Sequence, residues 1–297
     1  ATVPPAAGSA LTVTLNADSA LAFAATPGII GAIVIGAALS LSGAVYQSVF
    51  KNPLVSPDIL GVSSGASVGA ATAIQLGGSL LSMQLLAFVV GLAAVLLSTT
   101  IPRILKNNSN LMLVLSGIIV GTAMSSILGF IKYIADPNTQ LASITYWTMG
   151  SFSYITLADL FAVLPIILIP GVILILMAWW IDVLSMGEDE ARTLGARVGL
   201  IRGITIICAT LLTAGSVCIA GTISWVGLIV PHFGRMAVGP SNRKLLPMCA
   251  LLGGLFMLAV DTLTRTIGTT EMPVSILTGV LGAPIFCWLL FRQRREL

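Results

Sequence analysis

The sequence predicts an all-α integral membrane protein, a polytopic helical bundle, on three observations. Charge is scarce: 8% of the 297 residues are Asp, Glu, Lys or Arg and 57% are apolar, whereas a soluble domain carries roughly 25% charged residues. The mean hydropathy is high, at +1.04. Runs of about 20 apolar residues, rich in Gly and Ala, recur along the chain, which is the length and texture of helices that cross a bilayer. The net charge of +3 says little, because in a membrane the placement of charge matters more than its sum.

Taken in order, residues 1–26 hold no run of span length and no basic n-region, so they read as a polar extracytoplasmic flank and not as a signal peptide. The membrane domain is expected over 27–297. Its first span covers 27–50, with Pro27 tolerable in a first helical turn. KNPLVSPDILG then breaks the chain, because Pro53 and Pro57 cannot continue a helix. The next span, 59–77, carries Gly61, Gly65 and Gly69 at four-residue spacing, a row that lets another helix approach closely. Spans follow over 85–105 and 111–134. Residues 135–154 form a connector whose Tyr146, Trp147 and Tyr154 suit a membrane interface. Spans at 155–181 and 201–219 enclose a polar stretch. The segment 220–238 is apolar but interrupted by Gly221, Gly227 and Pro231, and 245–265 and 273–291 complete nine expected spans. Cys208, Cys218, Cys249 and Cys287 lie in apolar runs with no CxxC pair and read as small buried hydrophobes. His232 is the sole histidine, and no metal site is expected.

The enclosed stretch, 182–202, is the longest markedly polar run. It carries Glu188, Asp189, Glu190, Arg192, Arg197 and Arg202. Met186, Glu190, Leu194 and Val198 recur every four residues, and 190–194 favours a helix. Gly195 ends or kinks it. The expectation is a short surface helix with one apolar edge, closed by a turn.

Basic residues test the topology. With the 182–202 loop on the cytoplasmic side, alternation places Lys51, Arg103, Lys106, Arg192, Arg197, Arg202, Arg235, Arg243, Lys244, Arg292, Arg294 and Arg295 there too. That is twelve of the fourteen, and only Lys132 and Arg265 fall opposite. The bias follows the positive-inside rule, so the start is expected outside and the C-terminus inside.

Few ionisable groups lie deep in a span, which weakens a proton- or sodium-coupled carrier. Asp261 and Arg265, four apart near the outer end of one helix, can reach each other. The interrupted stretches 50–65 and 220–235 occupy comparable positions in the two halves, as in a transporter built from a pseudo-inverted repeat with its pathway between the breaks. Ordinary Pro/Gly kinking is the plainer alternative. No Walker A sequence, HExxH or triad is present, so an enzyme is not expected. A gradient-driven secondary carrier with broken helices remains the alternative from another class, with a structural membrane protein behind it.

Four blocks, KNPLVSPDILGVSSGASVG, ARTLGARVG, AGTISWVGLIVPHFGRMAVGPSNRKLLP and DTLTRTIGTTEMPVSILTGVLGAPIFCWLL, resemble in order the permease subunits of bacterial iron-siderophore, haem and vitamin B12 ABC importers, the type II importers. The resemblance runs from about Gly36 to the C-terminus. It implies ten helices, a homodimer in the bacterial inner membrane, two cytoplasmic ABC ATPase subunits and a periplasmic or lipid-anchored binding protein. No cofactor is implied on this chain, with ATP and Mg²⁺ on the partner ATPase, and no nucleic acid. Membrane lipid is the surrounding partner. The cargo implied is a metal chelate: ferric siderophore first, then haem, then cobalamin.

By position, Gly187, Glu188, Glu190, Ala191, Leu194 and Gly195 match the loop that docks into a cleft on the ATPase. Asn52 and Leu54 match a segment that narrows the cytoplasmic end of the pathway, faced by Ser109 and Asn110. Asn52, preceding Pro53, also suits a plain turn. Arg265, with Glu271 in the following turn, matches an outward site that meets the binding protein, a local pair with Asp261 being the alternative. Two departures stand out. The family's first helix has no counterpart before Pro27, and Ala25 and Gly28 occupy the positions of a family Arg-x-x-Arg pair.

Overall fold

The computed structural model describes residues 17–107, 109–267 and 272–293. Among these residues there are twelve helices and no strand. Helix α1 (Ala17–Phe50) is 34 residues long, about 50 Å at 1.5 Å per residue, more than the roughly 30 Å of a hydrocarbon core. The flank expected over 1–26 is therefore helical from Ala17, and Pro27 lies inside α1 and not in its first turn.

Helix α1 is the buried axis of the bundle, packed along α11 (Asn242–Thr266), α9 (Val198–Ala220) and α10 (Val226–Val238). Small residues set those contacts: a Cβ at Gly43 would strike the Gly227 carbonyl, and one at Gly36 would meet Gly253 and the Met257 side chain. Hydroxyls stitch α1 to α9 where lipid offers no hydrogen bonds. Ser42 Oγ donates to the Ala209 carbonyl (2.9 Å) and shares a bond with Thr213 (2.8 Å), and Tyr46 shares one with Thr210 (2.8 Å).

The remaining elements fall into two matching runs. A long helix, a break, a short helix and two long helices follow in order as α1, α2 (Val62–Gln75), α3 (Leu80–Ile104) and α4 (Asn110–Ile134), and again as α9 (Val198–Ala220), α10 (Val226–Val238), α11 (Asn242–Thr266) and α12 (Val274–Gln293). Between the runs lie α5 (Gln140–Met149), α6 (Leu157–Leu176), α7 (Ala178–Met186) and α8 (Glu188–Thr193).

Six described helices are long and apolar enough to cross a membrane, and α10 is shorter. The expected span at 59–77 is a helix of only 14 residues, because the prolines of 51–61 spend its first turns in the break. Its glycine row does what the spacing implied: a Cβ at Gly65 would lie 2.7 Å from Ala94 and one at Gly69 would strike the Leu86 carbonyl, so α3 rests on α2. The connector 135–154 contains α5, with Tyr146 and Tyr154 exposed and Trp147 against the core. Cys208, Cys218 and Cys249 are buried as expected, but Cys287 is exposed on α12.

Candidate functional site

The two breaks meet. Residues 56–58 and 222–225 wall one cavity of about 370 Å³, into which α2, α4 and α10 also project. Pro57 lies directly on Gly227, where a Cβ would collide with its ring. Each break is set by backbone that favours glycine: Gly61 at φ +81° and Gly221 at φ +72°. Trp225 holds φ +73° without being glycine, and its ring sits 6.0 Å from that of Phe286 on α12. The wall is rich in hydroxyls, among them Ser56, Ser63, Ser64, Ser125 and Thr222, and its one charged side chain among the described residues is Asp58. Asp58 Oδ1 also accepts from the Ser63 amide (2.7 Å) and so anchors the start of α2.

One end of the bundle gathers the basic residues. Here α7 stops at Gly187 (φ +153°), α8 follows, and Gly195 (φ +80°) turns the chain into α9. Ala191 is fully buried and packs with Val183, Leu184, Ala196 and Ile201. The Ala196 amide closes the turn onto the Ala191 carbonyl (2.9 Å). Glu188 forms ion pairs with Arg202, and with Arg192 at 3.5 Å. The Arg202 hydrogen bond, reinforced by the charges of Arg202, Arg192 and Lys51, holds the Glu188 carboxyl below the usual glutamate range.

The loop thus has two sides. Gly187 and Ala191 face inward and shape it, Glu188 is half-buried, and Glu190, Leu194 and Gly195 face outward. The continuous apolar edge expected from Met186 to Val198 does not form. Breaks at Gly187 and Gly195 interrupt its period, leaving Met186 (66%) and Leu194 (54%) exposed while Val198 is buried.

The positions matched to the gate lie at this same end. Asn52 and Leu54 are exposed, and Asn52 Oδ1 accepts from the Leu54 amide (2.9 Å), so Asn52 also builds the turn. Ser109 caps α4 through the Met112 amide (3.3 Å), and Asn110 donates to the Val49 carbonyl (3.1 Å), tying α4 to the end of α1. Ser109 shares a cavity of about 680 Å³ with Glu188, Arg192, Arg197 and Arg202.

A second tie escaped sequence reasoning. Asp182 accepts from the Asn242 backbone amide and side chain (2.7 Å each) and from Ser241 Oγ (3.1 Å), while Asn242 Oδ1 accepts from Ser48 (2.9 Å). The base of the loop is thereby clamped to α11 and to α1 just before its break. A polar residue closing an apolar run was the only signal. Gln47 plays a similar part, donating to the Gly227 and Leu228 carbonyls (3.4 and 3.3 Å) and accepting from Arg235. His232 lies half-buried on α10.

At the opposite end Arg265 Nε pairs with the buried Asp261 at 2.9 Å. A Cβ at position 28 would lie 2.5 Å from the Arg265 guanidinium. Glycine at position 28 is what leaves room for that guanidinium against α1. Glu271 lies outside the described residues.

This architecture has known counterparts. The model of the FecCD transport family matches residues 11–292. The molybdate import system permease protein MolB of Haemophilus influenzae is 38% identical over 91% of this chain and 80% of its own. A probable iron chelatin transport system permease protein of Helicobacter pylori is 39% identical over 90% and 81%. A solved structure described as an inward-facing conformation of a metal-chelate type ABC transporter superposes with a TM-score of 0.85 at 38% identity, over 90% of this chain and 86% of that one. The fold is that of an ABC importer permease, and the chain belongs to the FecCD transport family. The gradient-driven carrier is not favoured.

Proposed function

We propose that this chain, paired with a second copy, forms the translocation pathway of an ATP-driven importer for a metal chelate in the bacterial inner membrane. The observation that carries the reading is the loop at 187–195: a short helix locked by ion pairs at its base, outward at Glu190 and Leu194, and sharing a cavity with Ser109. Closure of two ABC ATPase subunits, which hold ATP and Mg²⁺, pushes on its outer face. The push passes through α7 and the Asp182–Asn242–Ser48 clamp to the end of α1, where Asn52 and Leu54 begin the break. A periplasmic or lipid-anchored binding protein delivers cargo at the other end, with Arg265 in its footprint. The positive-inside bias supports this orientation, with the loop cytoplasmic.

The cavity between the breaks supports a chelate as cargo. Its hydroxyls and single carboxylate, with no basic side chain among the described lining residues, complement a neutral or cationic complex better than a free oxyanion. Among chelates, family frequency puts ferric siderophore first, haem second and cobalamin third, and the lining disfavours the molybdate of the Haemophilus relative. The test is uptake into proteoliposomes holding this chain, its ATPase and its binding protein, with the four cargoes in competition. ATP-dependent accumulation of a chelate is expected. Accumulation driven by an ion gradient and indifferent to ATP overturns the reading, and preference for molybdate overturns the cargo.

A further inference from the structure

Two cavities at the basic end lie side by side and share lining residues. The polar one is lined by Glu188, Arg192, Arg197 and Arg202. The other, about 520 Å³, runs between α3 and α9 under Arg103, with walls of Leu92, Leu96, Ile206, Ile207 and Leu211. Both are lined by Gly199 and Arg202. Among the described residues, a Cβ at Gly199 or at Gly203, one turn on, would meet nothing within 4 Å, so these residues leave the floor of the groove along α9 open. Leu96 and Ile207 leave it exposed on both sides.

We propose that this composite groove is a binding site for an anionic phospholipid. Its phosphate sits among Arg103, Arg197 and Arg202, and one acyl chain lies between α3 and α9. The charge is one-sided: among the described lining residues there are four guanidiniums and one carboxylate, that of Glu188, which is already paired with Arg202 and Arg192, and Asp189 meets Arg192 at 3.7 Å from outside. Basic pockets between transmembrane helices attract acidic headgroups. A soluble anion would satisfy the arginines and leave the apolar groove empty. A protein docked on the outer face of α8 would not follow the groove in between the spans. Only a molecule with a charged head and a hydrocarbon tail matches both halves. Because Arg202 also holds Glu188, the lipid braces the base of the loop.

The test is native mass spectrometry of the full chain in detergent, titrated with phosphatidylglycerol or with phosphatidylcholine of identical chains. One tightly retained phosphatidylglycerol per chain is expected, displaced by neither phosphatidylcholine nor inorganic phosphate. Arg103→Gln with Arg197→Gln removes charge and keeps the groove, and retention should fall by roughly fivefold or more per guanidinium. Gly203→Phe fills the groove and keeps the charge, and retention should again be lost, with Gly203→Ala as a milder variant if the first does not remain monodisperse. Phosphatidylglycerol held undiminished by both Gly203 variants means that the arginines bind an anion alone, and overturns the proposal. So does equal retention of both lipids, or a groove found covered by a second copy of the chain.

Discussion

The two ends of the bundle are tied by different chemistry. At the basic end the ties are side chains. Asp182 clamps Asn242 and Ser241, Ser48 adds α1, Asn110 reaches Val49, and Glu188 holds Arg202. At the opposite end much of the tying is done by the backbone. The Ser151 amide donates to the Ala220 carbonyl (2.9 Å) and the Val274 amide to the Gly150 carbonyl (3.0 Å). Thr222 and Ser275 donate to the Thr148 and Thr222 carbonyls. A backbone mesh has little freedom to rearrange, whereas side-chain clamps can be exchanged when a neighbour moves. Under the proposed function, the mesh would serve as the pivot and the clamped end as the part that an ATPase moves.

The largest effect is expected where the moving end is struck directly. Glu190→Lys with Leu194→Lys should cut ATP-driven uptake by about tenfold or more, since an unpaired charge buried at an interface costs several kcal/mol. The melting temperature should stay unchanged, because both side chains face outward. Normal uptake by this variant would remove the docking role of the loop.

Next, Asp182→Ala withdraws the acceptor from the buried Asn242 amide, with an expected loss of about 3 kcal/mol. It should also lower the ratio of cargo moved to ATP hydrolysed. Gly150→Ala strikes the mesh instead. Gly150 holds φ +71°, and a Cβ there would lie 2.8 Å from the Thr222 carbonyl, so a loss of about 2 kcal/mol is expected. The coupling ratio should stay at the wild-type value. If the ratio falls equally in both variants, the division into pivot and lever is wrong.

The smallest effect is a pH dependence confined to the loop. The Glu188 carboxyl is held below the usual glutamate value of 4.5 by the Arg202 hydrogen bond and the charges around it. Its pairing therefore favours the folded loop in full above that value and is lost as pH falls through the lowered one. Hydrogen exchange at residues 188–196 should rise on acidification below that value, and Glu188→Gln should abolish the change.

Much of the candidate site was legible in the chain, and the limits of that reading are physical. Pro53, Pro57 and Gly221 announce their breaks because they act on their own backbone, whereas Gly61, read as part of a packing row, turns out to close the first break. The basic residues announce one end because the bilayer sorts charge by position. Glu188, Glu190 and Ala191, by contrast, are near neighbours in one polar run with three fates: ion-paired, outward and fully buried. Short helices interrupted at Gly187 and Gly195 carry no period long enough to tell a face. The same interruption defeated the apolar edge expected from Met186 to Val198.

By itself, then, the sequence determined the membrane class, the two breaks, the polar loop and the family blocks, since each rests on composition or on residues a few positions apart. The tertiary structure alone decided that the breaks close on one cavity, that Gly28 makes room for Arg265, and that Asp182 is bound to α11. It also decided that Ser48 meets Asn242 across 194 residues of chain. Those contacts depend on how α1 threads between α9, α10 and α11, and no local pattern encodes the partner that a buried donor will find.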